Sequence, residues 1–435
     1  MWEKSKKFIH NNWPIWILIV ISAIVYHKWL SFEIFSNADY WFTFSEALND
    51  YLHYSAWGSQ ENLGVSNLVL WMWGIKLLPW LWGGLGLDSN IYDKFLIYWP
   101  FVFLTPIFAY LFVKEVLKDK VGALIGAFVY TLSTYYIAIN TQGHIPLSVA
   151  GTFAPFAMLF FWRYFNDGRI KNLVLAALFS MLIVAYDFRV FYMLFFILLA
   201  LPFWMLFVQK GMEQKRIFFR KNFWPMAMFF GMLFLLNIFW ILPTAMTGAL
   251  VSNEIVGRGL VPNNYFLDLG KSLTLFHPFW NGSEPDWFHE QDIPFYFWFI
   301  PAMVAVAIFW ARKDRKILFW ALVAMVAVFV SKQDARPFLG VYPWLHEHFP
   351  GLNAFREASK FYFAILLSYA VLIGYFVKYV HERWNVKNWM KYVITALVAM
   401  IFLWNVKPIL TGEMFEIFTP REIPNNELAI RDQIL

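Results

Sequence analysis

Leu68-Val-Leu-Trp71-Met-Trp73-Gly-Ile-Lys76-Leu-Leu-Pro79-Trp80-Leu-Trp82-Gly-Gly-Leu85 is apolar enough to cross a membrane, yet it carries a lysine, a proline and four tryptophans. Whether it crosses or lies along the surface decides the side on which every later loop falls. If it crosses, the basic linker Lys114-Glu-Val-Leu-Lys118-Asp-Lys120 stands opposite the N-terminus, and later basic linkers change side with it. If it lies in the outer interface, Lys4, Lys6 and Lys7 share one side with the bases of 114–120, 163–171, 210–221, 312–316 and 378–391. That side then holds 22 of the 35 bases and 7 of the 29 acids, a net of +15, against −9 on the outer side. Short cytoplasmic loops collect Lys and Arg, and tryptophan prefers the headgroup level, where Lys76 and Pro79 are better tolerated. The reading adopted is an all-α polytopic transmembrane bundle of eleven spans with an interfacial helix at 68–85. Twelve spans is the alternative.

Composition supports a membrane chain. Of 435 residues, 60% are hydrophobic, 22% aromatic and 15% charged, against about 25% charged in a soluble domain. Runs of spanning length occupy 13–30, 94–113, 121–139, 146–163, 171–186, 189–209, 223–246, 294–311, 316–331, 361–380 and 391–408, each able to cross about 30 Å of hydrocarbon. Met1-Trp-Glu-Lys4-Ser-Lys6-Lys7 and the run after it resemble a signal sequence, but no clear small-x-small site follows, so an uncleaved first helix is expected. The formal charge of +6 is read as orientation and not as nucleic-acid binding. With no cysteine there is neither a thiolate zinc site nor a cysteine nucleophile.

The expected organisation is one integral membrane domain over 1–409, with outer loops at 31–93, 247–293 and 332–360. An outward-facing tail follows at 410–435, either short or the start of a further soluble domain. The N-terminus is expected inside the cytoplasmic membrane. Since the inner side has only tight basic linkers, chemistry is sought on the outer face.

Four outer stretches carry candidates. Asp39-Tyr40-Trp41-Phe42 follows the first span, and Glu46 and Asp50 lie seven and eleven residues on; on a helix the three acids fall near one face. That spacing fits a shared acidic site or a wet surface equally. Asp187 and Arg189 sit in a tight outward turn beside the hydrocarbon, as a local ion pair or as part of a site. His144 stands in the preceding outward turn, where a turn role is expected. His277-Pro278 precedes a run of acids and histidines at 281–292 whose oxygen and imidazole groups suit a divalent cation such as Mg or Mn, though without clear metal spacing. Finally, Arg356 and Lys360 are four apart where a span begins, so at the start of a helix they share a face; two bases there suit a phosphate, or a pair of snorkelling stems.

Together these residues resemble the GT-C class of polytopic membrane glycosyltransferases, particularly YfhO-like and arabinofuranosyltransferase-like bacterial proteins. The resemblance rests on Asp39-Tyr40 after the first span, the turn from Trp57 to Gly64, Leu132-Ser-Thr-Tyr135-Tyr136 before His144, and Pro350-Gly-Leu-Asn-Ala-Phe355-Arg356-Glu-Ala-Ser359-Lys360-Phe361. The last is similar to a Pro-Gly, then Phe-Arg-x-Pro-Ser-Arg-Phe pattern, with Ala358 in place of proline and Lys360 in place of arginine. The resemblance implies an inverting transferase that moves a sugar from a polyprenyl-phosphate donor to a cell-envelope glycan, lipid or protein acceptor on the outer face. It makes Asp39 the general base, Arg356, Lys360 and Arg189 the phosphate-binding residues, and Asp187, His144, Tyr40, Glu46 and His277 supporting or acceptor-binding residues. No cofactor is required, and helix 68–85 would border the prenyl groove. A flippase or transporter of lipid-linked sugars, or a non-catalytic membrane assembly protein, is the competing class. Spans nearly devoid of polar residues count against transport.

Overall fold

The computed structural model describes residues 12–36, 40, 57–58, 65–66, 70–247, 260, 267–278, 292–414 and 416–434. The longer helices are α1 (Trp13–Val25), α2 (Trp73–Gly84), α3 (Ser89–Leu117), α4 (Lys120–Thr131), α5 (Thr134–Thr141), α6 (Ile145–Asp167), α7 (Ile170–Tyr186), α8 (Phe188–Phe207), α9 (Met212–Thr247), α10 (Phe299–Trp310), α11 (Arg315–Ser331), α12 (Tyr362–Glu382) and α13 (Asn388–Trp404). All eleven apolar runs fall on these helices, with α4 and α5 sharing one run. Among the described residues, six helical stretches are long and apolar enough to cross a membrane. A two-residue antiparallel pairing, Trp57 with Ser66 and Gly58 with Val65, is the β structure among the described residues.

Helix α2 is only 12 residues, about 18 Å at 1.5 Å per residue and well short of the hydrocarbon thickness. Pro79 lies inside it, and the leucines at 78, 81, 85 and 87 are exposed.

The connections are tight because the sequence places caps between apolar runs. Asp119 caps α4 through the Gly122 N–H, and Asp314 caps α11 through Lys316 N–H at 3.0 Å. Gly168, at φ +69°, ends α6. Each short-side-chain acceptor satisfies N–H groups that the first helical turn leaves free.

At the centre, every residue of α4 from Gly122 to Thr131 is buried, and α12 and α3 pack most closely against it, with α13 and α1 beside them. Helices α4 and α12 meet at glycines. A Cβ on Gly374 would lie 2.6 Å from the Gly122 carbonyl oxygen, and one on Gly122 would collide with the Gly374 carbonyl. Small residues permit this close backbone approach, which supplies packing where lipid offers no hydrophobic drive. Lys378 of α12 also ties down the end of α3 by donating to the Leu117 carbonyl at 2.7 Å. Between α4 and α5 the helix breaks at Leu132-Ser133; the Leu132 carbonyl accepts from Asn405 Nδ2 at 3.0 Å. The break turns Tyr135 and Tyr136 into the core. The chain after α13 is also packed in: Met414, Ile417 and Phe418 are buried, with Phe418 stacked on Trp29 at 4.9 Å.

Candidate functional site

Two breaks between apolar segments build the site. The first is Asp187, extended at φ −159° and ψ 112°, between α7 and α8. Its N–H donates to the Ile183 carbonyl at 2.9 Å, ending α7, and its Oδ1 accepts from Arg189 N–H at 2.9 Å, starting α8. The same carboxylate takes the Arg189 fork: Nη2 reaches Oδ2 at 2.6 Å, and Nε reaches Oδ1 at 3.0 Å. Asp187 is buried, while a third of the Arg189 side chain remains exposed. The turn residue is thus a helix cap and an arginine clamp together.

The second break is the loop before α12. The Tyr342 hydroxyl donates to the Phe355 carbonyl at 2.7 Å, the Gln333 side chain accepts from Ala358 N–H at 3.1 Å, and the Tyr192 hydroxyl of α8 donates to the Pro350 carbonyl at 2.7 Å. Gly351, at φ +82°, packs against the Tyr192 ring. Residues Ala358–Phe361 form a 3-10 turn leading into α12. Positions three apart eclipse in such a turn, so Glu357, just before it, meets Lys360. The Lys360 Nζ lies 3.2 Å from Glu357 Oε2, with both side chains about nine-tenths buried. Arg356 precedes the turn, so it does not share a helical face with Lys360 as the four-residue spacing suggested. It stands near His346, where burial, with Arg356 adding to it, lowers the histidine pKa.

These two ion pairs lie within reach of one another's charge. Glu357, Arg189 and Asp187 are the charges that act on Lys360, and the same three act on the buried Tyr135. Tyr135 stacks on Tyr362 at 5.2 Å and meets the His277 ring edge-on at 5.3 Å. The His277 N–H donates to Thr134 Oγ1 at 2.9 Å. Burial, with Lys360 and Lys271 nearby, pushes the His277 ring down to about 3, so it stays neutral at ordinary pH. Arg189, Lys360, Asp187 and His277 therefore converge, joined by Glu357, Tyr135 and Ser359. The quartet of two cations and two anions is neutral as a whole, and a bound anion would meet donors that already have fixed positions.

Tyr40 belongs to a neighbouring group. Its hydroxyl donates to Asp93 Oδ1 at 2.7 Å; partial burial and the Asp93 carboxylate hold its pKa well above the usual tyrosine range. The two groups are linked through Tyr186, which donates to the Leu96 carbonyl of α3 at 2.7 Å. His144 sits at the N-cap position of α6, partly buried, with its N–H on the Ile139 carbonyl at 2.9 Å. Asp39, Glu46, Asp50 and residues 279–291 lie outside the described residues. No cluster of three or more potential metal ligands occurs among the described residues.

An apolar groove of about 510 Å³ starts beside the quartet. Tyr192, one turn after Arg189, and Phe361, next to Lys360, line its beginning; Phe196, Phe203, Leu322 and Val326 continue it between α8 and α11. Among the described residues, none of helix α2 lines this groove; Trp71, just before α2, packs on Phe188 and Trp240.

The sequence reading passed over Glu357, Asp93 and Lys94. Glu357-x-x-Lys360 was visible as an acid three residues before a base, but its meaning needed the 3-10 turn. Asp93 and Lys94 were split between a loop and a span by a boundary drawn four residues or more too late.

The fold is that of the GT-C membrane glycosyltransferases, an all-α bundle with several apolar helices. One similar solved structure is the cryo-EM structure of the arabinofuranosyltransferase AftD from Mycobacteria, with a TM-score of 0.56, 15% identity, and coverage of 97% of this chain and 29% of that one. Another is the crystal structure of the Archaeoglobus fulgidus oligosaccharyltransferase, with a TM-score of 0.51, 13% identity, and coverage of 92% of this chain and 53% of that one. The chain thus spans about a third and about half of these proteins. No protein-family model and no curated protein matches the sequence.

Proposed function

We propose that this chain is an inverting membrane glycosyltransferase that takes a sugar from a polyprenyl-phosphate donor and passes it to a cell-envelope glycan, lipid or protein. The observation that carries the reading is a clamped arginine and a buried lysine at the mouth of an apolar groove. An amphiphile with a phosphate head and a hydrocarbon tail matches that pairing of surfaces. The GT-C fold, found in two solved glycosyltransferase structures, supports the same class.

In this scheme Asp39 takes the proton from an acceptor hydroxyl as that oxygen attacks the anomeric carbon from the face opposite the phosphate. The bond from the anomeric carbon to the phosphate oxygen breaks, and the electron pair leaves with the polyprenyl phosphate. Arg189 and Lys360 stabilise the charge that develops there. Arg356, beside His346, adds positive potential at longer range. Tyr135, Asp187, His277 and Glu357 hold the bases in place, while His144, Tyr40 and Glu46 are candidates for the acceptor side. The prenyl chain runs between α8 and α11 instead of along the interfacial helix.

The positive balance of the short linkers supports an N-terminus in the cytoplasm and a site on the outer face of the cytoplasmic membrane. The membrane domain covers 1–409 and the outward tail 410–435. Asp39→Asn keeps the shape of the side chain and removes its basicity. The expected result is a folded, membrane-inserted protein that binds donor and transfers no sugar; full transfer by this variant removes Asp39 from the mechanism.

A further inference from the structure

Helix α9, Met212–Thr247, has 36 residues, about 54 Å at 1.5 Å per residue against about 30 Å of hydrocarbon. Its apolar run begins only at 223, so its first turns stand at headgroup level, next to a Trp224 that is three-quarters exposed. One side of these turns is already taken. The Phe218 ring stacks on Phe165 of α6 at 6.3 Å, and Asn222 Oδ1 accepts from the Tyr164 hydroxyl at 3.0 Å. That docking fixes which residues point away from the bundle. Arg216, Phe219, Arg220 and Phe223 follow one another at helical spacing on one face, and all four are exposed, with Ile217, Lys221 and Trp224 exposed beside them.

Over 210–221 the bases Lys210, Lys215, Arg216, Arg220 and Lys221 meet a single acid, Glu213. Lys215 turns back over the Phe207 ring, 5.9 Å from its centroid. Among the described residues, Arg216, Arg220 and Lys221 form no ion pair. Two arginines one turn apart offer forked donors to a phosphate. A soluble anion would leave Ile217, Phe219 and Phe223 in water. A lipid covers them with its glycerol and upper acyl chains while its phosphate meets the arginines. Arginines interleaved with exposed aromatic rings therefore match an anionic amphiphile.

We propose that the outward face of α9 around Arg216 and Arg220 binds the phosphate headgroup of an anionic phospholipid in the leaflet where α9 begins. The face stands at the Phe207 end of α8, whereas Arg189 and the mouth of the apolar groove stand at the Phe188 end. The lipid held here is therefore not the sugar donor, and it is bound whether or not the chain transfers sugar.

The test is lipid retention by the full chain in detergent, offered equal amounts of phosphatidylglycerol and phosphatidylcholine with matched acyl chains and counted by native mass spectrometry. The wild type should hold phosphatidylglycerol at least about fivefold more than phosphatidylcholine, the gain from one well-placed base. Arg216→Gln with Arg220→Gln should bring that ratio close to one. Both side chains are exposed, so the unfolding midpoint without added lipid should not move. Arg383→Gln with Lys387→Gln removes the same charge from the linker between α12 and α13 and should keep most of the preference. Inorganic phosphate at millimolar concentration should not displace the lipid. Should the double variant fail to fold, Arg220→Gln decides alone, with a ratio at least halved. Equal retention of the two lipids by the wild type, or a preference that survives the loss of Arg216 and Arg220, would overturn the proposal. So would an equal loss in the Arg383 and Lys387 variant, which would make the effect one of overall charge, or displacement by inorganic phosphate, which would make the site one for a free anion.

Discussion

Removing the Glu357 carboxylate should harm the fold more than removing the whole ion pair. Lys360 is 6% exposed and its Nζ lies 3.2 Å from Glu357 Oε2. Asp187 also faces Lys360, but its oxygens are already engaged by the Arg189 fork, and Arg189 itself repels the lysine. Glu357→Ala therefore leaves an ammonium desolvated with no carboxylate free to move onto it. Breaking a buried pair from one side costs about 3–5 kcal/mol. Replacing both partners by apolar side chains of similar volume is often neutral or stabilising, so Glu357→Leu with Lys360→Met should stay within about 1 kcal/mol of the wild type. The assay is thermal unfolding in detergent for stability, with binding of a polyprenyl-phosphate sugar measured in parallel. The single variant should unfold several degrees early. The double variant should unfold near the wild-type midpoint and bind donor at least tenfold more weakly, about 1.4 kcal/mol. A Glu357→Ala protein as stable as the wild type would refute the buried pair, and a double variant that binds donor normally would remove Lys360 from the donor site.

Three further outcomes follow from the same geometry. His277 has a native pKa near 3 against 6.5 for the free side chain, so the unfolded chain takes up its proton first; the stability this ring contributes is complete above about pH 6.5 and is lost as pH falls from there towards 3. Thermal midpoints at pH 7.5 and 5 should differ less in His277→Phe than in the wild type, and an unchanged difference would contradict the burial. Gly351 and Gly340 both sit at φ +82°, but a Cβ on Gly351 would lie 2.8 Å from the Tyr192 ring while one on Gly340 meets nothing within 4 Å. Gly340→Ala should cost about 1–2 kcal/mol from backbone strain alone, and Gly351→Ala clearly more; equal unfolding midpoints would show that the ring yields freely. Arg189→Lys keeps the charge but cannot match both Asp187 oxygens, so donor KM should rise about tenfold while the cap on α8 persists in the circular dichroism.

Much of the helical fold was legible because apolar runs of spanning length have one way to satisfy their backbone in lipid. The short α2 was also legible, from the tryptophans, Lys76 and Pro79 that set it apart. At the site, the charged residues beside spans stood out individually, and Asp187, Arg189 and Lys360 do come together. What could not be read was which charge meets which. The Arg356–Lys360 spacing pointed to a shared helical face, but the chain enters α12 through a 3-10 turn, which substitutes Glu357 for Arg356 as the partner of Lys360. Tyr135 stood in a quoted motif, yet its place depends on the helix break at Leu132-Ser133 and on Asn405, 273 residues away in sequence. The clamp of Asp93 on Tyr40 joins residues 53 apart and leaves no periodic trace.

The central claim is tested most directly by incubating purified protein with a small panel of radiolabelled polyprenyl-phosphate sugars and envelope acceptors, comparing wild type with Asp39→Asn and with Lys360→Met. The account predicts that the wild type binds and turns over at least one donor, that Asp39→Asn binds it without transfer, and that Lys360→Met binds it weakly. A wild-type protein that binds no prenyl-phosphate sugar, or an Asp39→Asn protein that transfers at the wild-type rate, would contradict it.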